Sequence, residues 1–139
     1  MKREFSAGGL VIRRFHGRPF LCVVRLKEGT VLALPKGHPD GKESAVEAAA
    51  REVREETGLE AEAVEKLGDI RYWYVWDGER VMKIVSFFLF RYRSGSVRDH
   101  DQEVEGAEWI PLEEAPERLA YKGEKKMAAA ALSRVNAER

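Results

Sequence analysis

Much that would narrow the role of this 139-residue chain is missing from it. It has a single cysteine, Cys22, set in the apolar run FLCVVRL, so no disulfide framework exists and the thiol is expected in the core. Its 24 basic and 24 acidic residues leave no net charge, which gives no electrostatic basis for a stable nucleic-acid complex or for adhesion to an anionic membrane. No apolar run approaches the roughly 20 residues of a membrane span, and the start, MKREFSAGG, lacks the apolar centre of a secretion signal. These absences leave a cytoplasmic location as the expectation. There is no internal repeat, low-complexity tract or linker, so residues 1–139 read as one domain.

What is present is charge, at 35% of residues, beside 44% apolar residues, the balance of a globular chain with a heavily charged surface. Residues 3–14 read as a first strand, in which Gly8-Gly9 permits close backbone approach. Residues 20–26 and 30–34 read as two more strands, with turns at His16–Pro19 and Glu28-Gly29. Residues 61–76 and 79–92 form two long β-prone runs joined by Asp77-Gly78, a strong hairpin signal. After a charged loop over 93–105, a short strand at 107–110 ends at Pro111. Two helical pieces, 112–120 and 124–137, then close the chain, separated by Lys122-Gly123. This order predicts an α/β protein, a mixed sheet with helices on both sides.

The centre of the sequence is Gly37–Leu59, GHPDGKESAVEAAAREVREETGL. After the turn-rich His38–Gly41, Ser44 and Glu47 stand three apart as a capping box, and Gly58 supplies a left-handed stop, so a helix is predicted between them. Val46, Ala49, Ala50 and Val53 form its apolar arc. Glu52, Glu55 and Glu56 fall on the adjoining arc, together with Ala48, which is too small to obstruct a ligand. Three like charges at this spacing repel one another in a bare helix, whereas a hard divalent cation such as Mg²⁺ or Mn²⁺ would turn the cluster to use. The plain alternative is a solvated acidic face.

The stretch resembles the Nudix box at every fixed position: Gly37, Glu43, Arg51, Glu52, Val53, Glu55, Glu56, Gly58 and Leu59. One detail departs from the commonest form, since Lys42 stands where a glycine usually precedes the first glutamate, with Gly41 one place earlier. The resemblance implies an α/β/α sandwich with the box helix on one side of a mixed sheet and the C-terminal helix on the other. It implies that Glu52, Glu55, Glu56 and the main-chain carbonyl of Gly37 hold Mg²⁺, with Mn²⁺ as a possible substitute. It also implies that Glu43 and Arg51 form an ion pair pinning the loop to the helix. Glu103, six positions before Trp109, resembles a late glutamate that serves some relatives as metal ligand or general base; Glu56 is the other choice for the base.

Within the family, Pro35-Lys36-Gly37-His38 is similar to the opening of diadenosine polyphosphate hydrolases. A two-residue hairpin at Asp77-Gly78 places Tyr72 opposite Lys83 and Tyr74 opposite Val81, and the Tyr72–Lys83 pair resembles a phosphate-contacting pair of that branch. Lys36, His38, Tyr72 and Lys83 are therefore the candidate substrate contacts. Trp73 and Trp76 have the two readings of strand aromatics, buried core or a surface that stacks a base, of which core is the ordinary one. The implied activity is Mg²⁺-dependent hydrolysis of a small nucleoside polyphosphate, diadenosine polyphosphate first, in a monomer or a homodimer. The alternatives are a nucleoside triphosphate pyrophosphohydrolase that clears damaged nucleotides and a catalytically silent binding module of the same fold.

Overall fold

The computed structural model describes residues 1–138, and strand β1 (Lys2–Phe15) runs through the middle of its sheet. The other strands are β2 (Arg18–Leu26), β3 (Val31–Ala33), β4 (Lys36–Gly37), β5 (Leu59–Trp76), β6 (Glu79–Gly95) and β7 (Gly106–Pro111). The helices are α1 (Ala45–Thr57), α2 (Ala115–Arg118) and α3 (Lys122–Ala137). The sheet order is β3-β2-β1-β6-β5, with β4 added to β1 and β7 to β2. Parallel pairing of β1 with β6, among otherwise antiparallel pairs, makes the sheet mixed.

Side chains alternate across β1, so each face meets a different helix. Ala7 and Val11 join Phe90 and the α1 residues Ala48, Ala49 and Val53 in one core cluster. Leu10 joins Val85, Phe87, Leu89 and the α3 residues Ala128, Ala131 and Val135 in the other. The two glycines between them serve the two faces. A Cβ on Gly8 would stand 2.6 Å from the Pro35 carbonyl, and one on Gly9 would stand 2.7 Å from Val53, so each lets a layer approach the strand backbone. The expected three-layer arrangement is present, and no helix among the described residues is long and apolar enough to cross a membrane.

Helix α1 is bounded as its sequence requires. Ser44 and Glu47 make both bonds of the capping box, and Gly58 takes φ 78°. Its buried strip is wider than the apolar arc read from sequence. Ala48 is fully buried in the α1-side core, not beside a ligand, because the small side chain lets the helix settle close on the sheet.

The β5–β6 hairpin has the expected register, Tyr72 opposite Lys83 and Tyr74 opposite Val81. Its turn residues Asp77 and Gly78 have φ 51° and 73°, the left-handed pair of a type I′ turn. Both strands are longer than predicted, and three register shifts between Glu60 and Gly68 bend β5. Trp73 and Trp76 are 48% and 70% exposed, which corrects the core reading. They sit near the hairpin tip, where Trp73 is instead covered in part by the Arg80 guanidinium, 4.6 Å from its ring centre.

The C-terminal segment also differs from expectation. Residues 112–120 hold only a 3-10 turn (Leu112–Glu114) and the single turn of α2. Lys122-Gly123 opens α3 and does not separate two helices. Gly123 is there for proximity: a Cβ on it would stand 2.5 Å from the side chain of Ile70, so its absence lets the start of α3 press against β5.

Candidate active site

The carboxylates of α1 face β4 across a gap that only glycine permits. A Cβ on Gly37 would overlap the Glu52 carboxylate. The Lys36 amide donates to Glu56 Oε2 at 2.8 Å, which fixes the third glutamate of the cluster against the same two-residue strand. Arg51 organises the rest. Its Nε and Nη2 donate to the two oxygens of Glu43 at 2.8 and 3.1 Å, and Nη2 also reaches the His38 carbonyl at 2.9 Å. Its Nη1 bridges Glu52 Oε1 at 2.9 Å and Glu55 Oε2 at 3.0 Å. Glu43 accepts the Asp40 amide at 2.7 Å as well, so the loop is pinned to the helix although Lys42 replaces the usual glycine.

The electrostatics are those of an acidic cluster held by one cation. Burial pushes the Glu56 carboxyl up to about 8, with the charges of Glu52 and Asp101 adding to it and the Lys36 amide opposing. Burial also raises Glu52, against the Arg51 hydrogen bond. Glu43 moves the other way, held below the usual carboxylate range chiefly by its hydrogen bond from Arg51. Among the described residues no three acidic, histidine or cysteine side chains converge as a finished metal cage, for Glu52 and Glu55 turn to Arg51 and Glu56 to the Lys36 amide. The donor set nevertheless fits a hard divalent cation. It offers several carboxylate oxygens, more negative charge than Arg51 balances, and a glycine backbone with nothing between it and Glu52.

A loop carboxylate does approach this cluster. The Asp101 amide donates to the Glu55 carbonyl at 2.8 Å, near the end of α1, and the Asp101 charge is close enough to act on Glu56. Glu103 is exposed, and its amide donates to Asp101 Oδ1 at 3.0 Å. Nothing in the sequence distinguished Asp101 from the other acidic residues around it, because its proximity depends on how the loop folds back.

A cleft of about 730 Å³ lies between the sheet and the start of α3, with Tyr72 and Phe87 on the strand side and Tyr121, Lys122 and Lys126 on the helix side. Lys36 lines it too. The Lys36 ammonium is not free: it pairs with Glu124 Oε2 at 2.7 Å and lies 5.4 Å from the centre of the Tyr121 ring. Tyr72 is 45% exposed and its partner Lys83 lies 3.5 Å from His38 Nε2. Partial burial lowers the Lys83 pKa, opposed by Glu4, whose carboxylate accepts the Tyr74 hydroxyl at 2.6 Å. The other His38 ring nitrogen lies 3.1 Å from the Phe5 carbonyl.

The predicted residues thus fall into two adjoining groups. Gly37, Glu43, Arg51, Glu52, Glu55 and Glu56 are brought together, and Lys36 leads from them to the cleft that Tyr72 lines. Lys83 and His38 stand beside each other. Tyr121, Glu124 and Asp101 were not singled out by sequence, since all three reach the site from later, distant parts of the chain.

Comparisons with known proteins show the family and the fold. The family model described as NUDIX domain matches residues 2–131. A Mycobacterium tuberculosis protein named as a mutator protein, MutT4, is 44% identical over 131 residues, covering 90% of this chain and 53% of that protein. The asymmetrical bis(5'-nucleosyl)-tetraphosphatase of Mus musculus is 34% identical over 89 residues, covering 63% of this chain and 60% of that protein. The chain therefore spans about half the length of the curated relatives it matches. Among solved structures, the Caenorhabditis elegans Ap4A hydrolase in a binary complex superposes with a TM-score of 0.72 at 18% identity, covering 96% of this chain and 98% of that one.

Proposed function

This chain belongs to the Nudix family of hydrolases, and on that premise we propose that it cleaves a phosphoanhydride bond of a nucleoside polyphosphate, with a diadenosine polyphosphate as preferred substrate. The observation that carries this reading is adjacency. The tyrosine-lined cleft opens beside Lys36, whose own amide holds Glu56 of the carboxylate cluster. A nucleoside seated between Tyr72 and Tyr121 would extend its phosphates toward those glutamates.

In this reading Glu52, Glu55, Glu56 and the Gly37 carbonyl hold Mg²⁺ or Mn²⁺, which when bound neutralises phosphate charge and makes water more acidic. Arg51 keeps Glu52 and Glu55 from separating, and the Glu43 pair keeps Arg51 in place. Lys83 offers donors to the phosphate chain, and His38, with Nδ1 toward the Phe5 carbonyl, turns Nε2 toward that ammonium. Glu56, ionised once the cation is bound, takes the proton of the attacking water; Glu103 is the loop alternative, and Asp101 is the nearer carboxylate of that loop. The substrate is a small nucleotide, and the protein acts in the cytoplasm without a stable nucleic-acid partner.

A second reading rests on the similarity to the mutator-type relative: hydrolysis of damaged nucleoside triphosphates. Incubation with Mg²⁺ and a panel of diadenosine polyphosphates, ordinary and oxidised nucleoside triphosphates and nucleotide sugars separates the two. ATP released from a dinucleoside polyphosphate supports the first reading. Pyrophosphate released from a nucleoside triphosphate moves the protein to the second, and absence of metal-dependent turnover throughout favours a substrate outside the panel or a silent binding module.

A further inference from the structure

Glu124 is the one charged side chain that is buried among the described residues, at 3% exposure, and the proposed reaction makes no direct use of it. A buried carboxylate is held in place only where its oxygens are satisfied. Here Oε1 accepts the Leu34 amide at 2.7 Å and Oε2 accepts the Lys36 ammonium at 2.7 Å. Between those residues Pro35 has no amide to satisfy, and its carbonyl accepts the Gly9 amide of β1 at 3.1 Å.

Lys36 is consequently tied to both helices. Its ammonium goes to Glu124 of α3, and its amide goes to Glu56 of α1. The next residue, Gly37, lies against Glu52. A shift of Leu34–Gly37 away from α1 would lengthen the bond to Glu56 and open space beside Glu52.

We propose that Glu124 is a positioning residue for the metal-side carboxylates, clamping Leu34–Gly37 from the α3 side so that Lys36 and Gly37 hold Glu56 and Glu52 in register. This rests on the assignment of those glutamates to a divalent cation. Residues that hold metal ligands in place typically cost about 10–100-fold in metal affinity when removed, and about tenfold is expected for a clamp acting through one intervening segment.

The test measures Mn²⁺ affinity of the substrate-free protein by electron paramagnetic resonance, alongside kcat, KM and thermal stability. Glu124→Ala removes both bonds, while Glu124→Gln keeps an acceptor for the Leu34 amide and loses the ionic partner of Lys36. A control, Val135→Ala, loosens the buried face of α3 about three turns further along without touching the clamp. The expected result is weaker Mn²⁺ binding and lower kcat in both Glu124 variants, larger in the alanine, with neither changed in Val135→Ala despite its lower Tm. Wild-type affinity in both Glu124 variants would overturn the clamp, as would equal losses in Val135→Ala. A higher KM with unchanged Mn²⁺ affinity and kcat would overturn it too, making Glu124 simply part of the nucleotide cleft. Wild-type protein that binds no Mn²⁺ would overturn the metal assignment itself.

Discussion

The Glu52 carboxylate occupies the space that a side chain at Gly37 would need. The two residues are fifteen positions apart, on α1 and β4, and their approach brings a backbone segment within reach of the acidic cluster. Gly37→Ala must push Glu52 aside or move β4. The expected outcome is a loss of about 10-fold or more in kcat, because small displacements at a reacting centre are costly. Steady-state kinetics beside a melting curve checks this, and unchanged kcat would show that Glu52 is free to move.

Glu55 lies on the exposed side of the cluster, its carboxylate accepting Arg51 Nη1. Glu55→Gln is expected to lower kcat by about 100-fold or more while leaving the fold intact. Full activity in that variant would remove Glu55 from the metal set.

Glu56 predicts a pH dependence for the metal-free protein. Its carboxyl stands near 8 in the folded chain against an ordinary value of 4.5, so between those pH values the folded state keeps a proton that the unfolded state has released. Stability from this group is therefore fully present below the ordinary value and lost as pH rises toward about 8, with a limiting slope of ~1.4 kcal/mol per pH unit. Melting curves in EDTA across that range would show the decline, and Glu56→Gln should flatten it. A wild-type profile no steeper than that of the variant would contradict the burial of the charge.

Lys83→Ala is expected to raise KM for a polyphosphate substrate by about tenfold, the size of one hydrogen bond to a charged group, with a smaller effect on kcat. An unchanged KM would leave Lys83 as a half-buried lysine of an inner strand, flanked by Glu4 and Tyr72, whose ammonium lies beside His38.

Trp73 makes a contrasting case. Half-exposed and one residue along β5 from Tyr72, it projects from the opposite face of the strand. Trp73→Ala should change stability by less than about 1 kcal/mol and leave KM alone. A selective rise in KM would place the nucleotide on the Trp73 face and not in the cleft beside Tyr72.

What could be read from residue order was what local chemistry decides. Ser44, Glu47 and Gly58 bound α1, and Asp77-Gly78 sets the register that pairs Tyr72 with Lys83. Spacing along one helix also gathers Glu52, Glu55 and Glu56. What could not be read depends on packing between distant segments. Ala48 is buried because α1 sits close on the sheet, and Trp73 is exposed because it lies near the hairpin tip on the face opposite Tyr72. Gly123 looked like a break and is a contact point with Ile70. The partners of Lys36 were hidden for the same reason, with Glu56 on one helix and Glu124 on another.

The parallel pairing of β1 with β6 has a consequence for how the chain reaches this state. The central strand is made first, yet its partner follows about eighty residues later, and contacts of such long sequence separation slow folding. During synthesis at about 5–20 residues per second, β1 waits several seconds for β6 to be made, with one long edge unpaired. The β5–β6 hairpin, closed by its own turn, is the natural template on which that strand then docks.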